Sequence, residues 1–334
     1  MRLPLVALVI GLAGALVPAA SSATPADQPV FAVKPVTYDP KVPVTKSYFV
    51  LDARPGTVIH DRVEIVNKGD VAGRAFLYTV DATTGETTGA VYLSRRDPRR
   101  DVGSWLTLDA DSVVLGPGER RDVSFTVRVP RALRPGDHLG GIVAENAALT
   151  KPKGKGPLQI KIRHLTIVAV QAQVPGPRIR RIDVAGVRAG GEHGYQFLYL
   201  SMRSRSTIMV KPRLTVSVAD EQGRAVARRS LRLDTFLPQT QIDYPLLLPG
   251  RALSPGRYVA TIDVSDGSGT QTFPFSVSQD QTTKVYSGAP ALKPARAGGS
   301  GGHHFPIDYL PWIVAALATL GAAAAITSRR WASR

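Results

Sequence analysis

Hydrophobic and polar residues alternate with a period of two through most of the chain between Ser47 and Val277. The clearest run sets Val123, Phe125, Val127 and Val129 against Asp122, Ser124, Thr126 and Arg128. Such a run buries one face of a strand and wets the other. The same pattern returns at Ile59, Val63 and Ile65, at Ala75, Leu77 and Thr79, and from Leu158 to Val174, where Ile160, Ile162, Leu165, Ile167 and Ala169 form the expected inward face. A second series holds Ile182 and Val184, Tyr195 to Met202, then Leu214, Val216 and Val218. Tyr258, Ala260, Ile262 and Val264 follow, then Phe273, Phe275 and Val277. Turns punctuate these runs at Pro55-Gly56, Pro117-Gly118, Pro135-Gly136 and Asp220 to Gly223. Proline presets the first turn position and glycine accepts the positive φ that follows. Short strands at this spacing predict an all-β chain of two immunoglobulin-like β-sandwiches in series. The first covers residues 46–176 and the second 177–280, with the crossing at Pro175-Gly176-Pro177.

The ends follow other rules. Arg2, the apolar run Leu3 to Val17 and the small residues up to Ala23 describe a secretory signal peptide over residues 1–23. Residues 24–45 are Pro-rich and polar and are expected to be an entry segment without an element. After the second sandwich, residues 281–308 have the Gly/Ala/Pro/Ser composition of a flexible stalk. Leu310 to Ser328 is apolar and uncharged, and at ~1.5 Å per residue it reaches ~28 Å, close to a hydrocarbon core. Residues 309–328 are therefore expected to form one C-terminal transmembrane helix. Tyr309 and Trp312 lie at its outer end, and residues 329–334 form a basic cytoplasmic tail.

The order of motifs in the first sandwich carries a resemblance. Trp105-Leu106-Thr107-Leu108, the Pro117-Gly118 turn and the strand ending at Val129-Pro130 come first. Pro135-Gly136-Asp137-His138-Leu139-Gly140-Gly141-Ile142 follows. Together they resemble the N-terminal domain of WxL-interacting proteins, cell-surface proteins of Gram-positive bacteria. Phe236-Leu237-Pro238, Asp243-Tyr244-Pro245 and Leu253 to Tyr258 resemble the family's C-terminal domain. The Arg, Ala and Gly content suggests an actinobacterial relative. The resemblance implies a peptidoglycan-binding first domain, a second domain for a host surface or partner, and partner proteins that carry a WxL domain. This chain has no Trp-x-Leu of its own, since Thr107, Val314 and Ser333 stand two residues after its tryptophans.

Composition narrows the function further. There are no cysteines, so the cores alone hold the fold. The net charge is +16, and 31 of the 42 basic residues are arginine, which favours anionic partners such as a wall polymer. The chain is exported and its charge is spread out, so nucleic acid is not an expected partner. The densest positive spot is Arg95, Arg96, Arg99 and Arg100 on a loop, and these are candidates to hold phosphates or carboxylates by bidentate hydrogen bonds. Trp105 is the remaining ligand-binding candidate, and its place at a strand start also fits a core residue. Asp137-His138 is read as a polar hairpin position, not half of a triad, and the pair His303-His304 completes no metal site. Leu237 to Gln241 resembles a sortase sorting signal but carries Gln241 where glycine is required, and reads as a turn.

No nucleophile, phosphate-loop or metalloprotease motif is present, so the expected class is non-catalytic and without a cofactor. The leading expectation is a single-pass, membrane-anchored cell-surface scaffold with its ectodomain outside, attached to cell-wall polymer or a surface protein. The alternative is an exported chaperone or assembly factor for surface proteins that acts by β-strand addition.

Overall fold

The computed structural model describes residues 28–149, 162–192, 195–248, 252–267 and 269–286. The expected signal peptide, the basic run 151–157, the stalk from 287 onward, the transmembrane helix and the tail lie outside the described residues. Among the described residues no helix is long and apolar enough to cross a membrane. The described chain is all-β, and both sandwiches belong to one compact unit.

The first sandwich packs two sheets. One runs β1 (Phe31–Pro35), β3 (Val58–Asn67), β8 (Arg120–Arg128), β6 (Leu106–Leu108). The other runs β2 (Phe49–Asp52), β10 (Leu165–Val174), β9 (Gly136–Asn146), β4 (Gly73–Gly85), β5 (Gly89–Tyr92), with β7 (Ser112–Leu115) also on β4. Val123, Phe125, Val127 and Val129 are all buried, as their alternation predicts. Phe125 meets Phe49 edge to face, with ring centroids 5.0 Å apart across the two sheets. A four-residue helix, α1 (Val102–Trp105), closes one end of this core.

Residues 24–45 do more than lead in. Phe31 to Pro35 pairs antiparallel with β3, and Phe31 is 5% exposed. Phe31 enters the core and so makes a strand of a segment whose prolines suggest a loop. The chain then crosses to the opposite sheet, where β2 runs parallel to β10 from Phe49 beside Val170 to Asp52 beside Gln173.

The second sandwich packs the sheet β11 (Ile182–Glu192), β12 (Tyr195–Ser204), β15 (Gln241–Leu247) on the sheet β14 (Ala225–Arg232), β13 (Arg213–Asp220), β16 (Gly256–Val264), β17 (Gln271–Val277). Leu214, Val216, Val218, Ala260, Ile262 and Val264 form the middle of its core. The expected stalk from 281 is corrected at its start, because α2 (Gln279–Tyr286) occupies those positions. Ser278 and Gln281 form a capping box: Gln281 N–H donates to Ser278 Oγ at 3.1 Å and Ser278 N–H to Gln281 Oε1 at 2.9 Å. Two donors at the helix start are thereby satisfied by side chains.

The sandwiches meet through hydrogen bonds of specific shape. Asp137 N–H donates to Thr207 O at 2.7 Å, and Asp137 Oδ2 accepts Met209 N–H at 2.8 Å. Thr84 Oγ1 accepts Leu237 N–H at 2.9 Å and lies 2.6 Å from Thr240 Oγ1. Gly136 sits at φ +102°, and a Cβ there would fall 1.8 Å from Thr207 O, so the junction requires glycine. The Leu237–Gln241 stretch is a turn, and it is also the surface on which Thr84 docks.

Candidate functional site

Strand β10 has two different halves. Its C-terminal half is paired on both sides, with β9 and with β2. From Leu165 to Ala169 it pairs with β9 alone, and among the described residues no strand lies on the other side. Asn146 N–H donates to His164 O at 2.9 Å, which fixes the phase of the ladder. Even-numbered residues of β10 turn their backbone groups toward β9, so Leu165, Ile167 and Ala169 turn theirs outward.

The side chains of these same residues lie on the outer face of the sheet. Val168, Val170 and Ala172 fill the core, while Leu165 is 51% exposed and Ile167 and Ala169 are half-buried. The expectation that Leu165, Ile167 and Ala169 face inward is thus corrected. Both faces of this strand are apolar, and alternation cannot choose between two apolar faces. Ile167 rests on Gly141, where a Cβ would lie 2.7 Å from its methyl group and 3.1 Å from the Tyr92 ring. Glycine in β9 therefore gives Ile167 and Tyr92 their seat. Burial, with Tyr48 nearby, pushes the Tyr92 hydroxyl up to about 12.

The candidate arginines fall around a separate cleft of about 710 Å³ beside β4. Arg95 lies over the rings of Tyr78 and Phe76, 5.0 and 5.6 Å from their centroids. Arg99 donates to Thr79 Oγ1 at 2.9 Å, and that hydroxyl donates on to Gly103 O at 2.7 Å. Arg100 serves through its backbone: its N–H reaches Asp81 Oδ2 at 2.5 Å beside that of Asp101 at 2.9 Å, while the Gly103 N–H reaches Asp81 Oδ1 at 2.6 Å. Arg96 is exposed and its N–H donates to Ser94 Oγ. The structure thus brings Arg95 and Arg99 to one cleft and leaves Arg96 and Arg100 off its lining.

Trp105 is corrected as a ligand candidate. It is 6% exposed, belongs to the core and lies 4.9 Å from the His138 ring. Asp137 and His138 are also buried, not exposed hairpin positions. His138 Nδ1 lies 2.6 Å from Asp101 Oδ1 and Nε2 lies 3.0 Å from Arg134 O, so the ring ties α1 to the start of β9. Burial lowers the Arg134 guanidinium pKa, against the pull of Asp101 and Asp137. Tyr78, Asp81 and Glu145 went unnoticed in the sequence. Tyr78 donates to Glu145 Oε2 at 2.7 Å and Arg163 to Glu145 Oε1 at 2.8 Å; burial, then that hydrogen bond, raises the Tyr78 pKa. Among the described residues no group of His, Asp and Glu is placed to hold a metal ion.

No family model and no curated protein matches the chain. Solved structures with a similar fold include the Escherichia coli chaperone DraB, at 14% identity and TM-score 0.34 over 76% of this chain and 98% of that one. A second is the CsuC–CsuE chaperone–tip adhesion subunit pre-assembly complex of Acinetobacter baumannii, at 9% identity and TM-score 0.35 over 74% and 98%. A third is the Salmonella enterica SafA pilin with the SafB chaperone, at 10% identity and TM-score 0.33 over 76% and 100%. The expectation of a membrane-anchored scaffold for cell-wall polymer is corrected to this extent: the solved structures found similar are of fimbrial chaperone systems, not of such scaffolds.

Proposed function

We propose that this protein is an exported holding or assembly factor that engages extended polypeptide segments by β-strand addition along the outer edge of β10. The observation that carries the reading is the edge from Leu165 to Ala169. It presents backbone donors and acceptors in line with β2, next to an apolar outer face, with no charge, proline or bulge to block a further strand. An added strand continues the sheet that β2 covers only in part. Alternate apolar side chains of the guest then lie beside Leu165 and Ile167, while main-chain bonds supply affinity with little dependence on sequence. The expected signal peptide and C-terminal apolar segment support an activity outside the cytoplasm. Kinship with WxL-interacting proteins belongs to the same proposal.

The test is binding of a fluorescent peptide of alternating Val and Thr to the full chain, read by anisotropy. Leu165→Pro removes the outward N–H, to which no strand among the described residues is paired, and proline is tolerated on an edge. Its affinity should fall by about tenfold or more, given the loss of a hydrogen bond and an apolar contact. Unchanged affinity in a variant with an unaltered unfolding transition overturns the proposal.

A further inference from the structure

The Arg95–Arg99 cleft lies at a gap in a different strand edge. Strand β7 covers β4 as far as Phe76, and β5 covers it from Ala82. The positions just inside the gap are closed by single bonds: Leu77 N–H donates to Asp111 O at 2.7 Å, and Leu93 N–H to Asp81 O at 2.9 Å. By the same alternation Thr79 turns its backbone N–H and C=O into the cleft, where among the described residues no strand meets them.

The two arginines beside this gap are held in place without a carboxylate. Arg62, Arg163, Arg180, Arg188, Arg205 and Arg224 each reach a carboxylate. Arg95 and Arg99 are instead held by neutral partners, the rings of Tyr78 and Phe76 and the hydroxyl of Thr79. Both are thereby oriented while their charge stays uncompensated. Two carboxylates also line the cleft, those of Asp97 and Asp111; Asp97 Oδ2 is occupied by the Ser94 N–H at 2.6 Å.

We propose that this cleft binds an extended peptide carrying a carboxylate, which forms a short β-bridge to Thr79 and places its carboxylate between Arg95 and Arg99. A guanidinium fork matches a carboxylate in shape, and the backbone gap selects a peptide over a free anion. The site is independent of the β10 edge.

The probe is a labelled peptide of alternating Val and Thr with one central Glu, bound to the full chain of the Leu165→Pro variant so that the other edge is silent. Binding should weaken by about tenfold or more when Arg95 and Arg99 are both changed to Gln, and equally when the peptide's Glu is changed to Gln. Arg62→Gln, an exposed control, should leave it unchanged. Raised salt should weaken binding without abolishing it. The proposal is overturned if the double variant binds as well as its parent, if no binding occurs, or if inorganic phosphate displaces the peptide at matching concentration. The last outcome would mean that the cleft takes any oxyanion.

Discussion

The two sandwiches treat their sheet edges differently. In the second, β14 carries Arg228, Arg229 and Arg232, and β17 carries Pro274. Strand β15 carries Pro245, and β11 breaks register between Val184 and Gly186. Charge, proline and bulge are the ordinary means of keeping a further strand off. In the first sandwich β1 carries Lys34 and Pro35, yet the Leu165–Ala169 edge of β10 carries none of these devices. The arginines divide in the same way. Arg180, Arg188, Arg205 and Arg224 of the second sandwich meet Asp266, Asp243, Asp183 and Asp220, whereas Arg95 and Arg99 of the first are held by rings and a hydroxyl. The second sandwich guards each of its sheet edges, and the first leaves unguarded the stretch proposed to take a guest.

Three substitutions break or sharpen that contrast. The largest effect is expected from Asp81→Ala, which strips the acceptor from three backbone N–H groups, those of Arg100, Asp101 and Gly103. A loss of about 3 kcal/mol is expected in urea unfolding, because buried donors are left unmet. Binding of the Glu peptide should fall with it, although neither cleft arginine is altered. Next is Pro274→Val, which returns a donor to the outer edge of β17. On the Leu165→Pro background it should confer weak capture of the Val/Thr peptide. Failure to do so would mean that proline is not what keeps this edge closed. The smallest effect is expected from Arg62→Ala, whose exposed pair with Asp122 spans 3.3 Å. Its unfolding free energy should change by no more than about 0.5 kcal/mol, and a larger change would show that paired surface arginines carry more of the fold than the contrast allows.

The sandwich strands were legible wherever one face is apolar and the other polar. Val123 to Val129 and Leu214 to Val218 have that form, and their burial follows it residue by residue. Legibility failed where both faces are apolar, as in β10, and there the proposed binding edge lies. Strand β1 was hidden by Pro35 and by its neighbouring prolines, although Phe31 anchors it. The arginine loop was visible as charge, but which two of four arginines share a cleft depends on Asp81, a single carboxylate that no pattern singles out. Trp105 looked available because tryptophan often serves ligands; α1, whose four residues leave too little periodicity to read, folds it into the core.

The parallel pairing of β2 with β10 also sets a timetable. Phe49 leaves the ribosome long before Val170, and until Val174 has followed, the sheet that holds both strands stays incomplete. Contacts so distant along the chain form late and slowly. The bonds that join Asp137 to Thr207 and Met209 come later still. The edge proposed to take a guest is therefore among the last parts of the first sandwich to be made. A truncated or stalled chain would expose apolar strands without the finished surface that receives one.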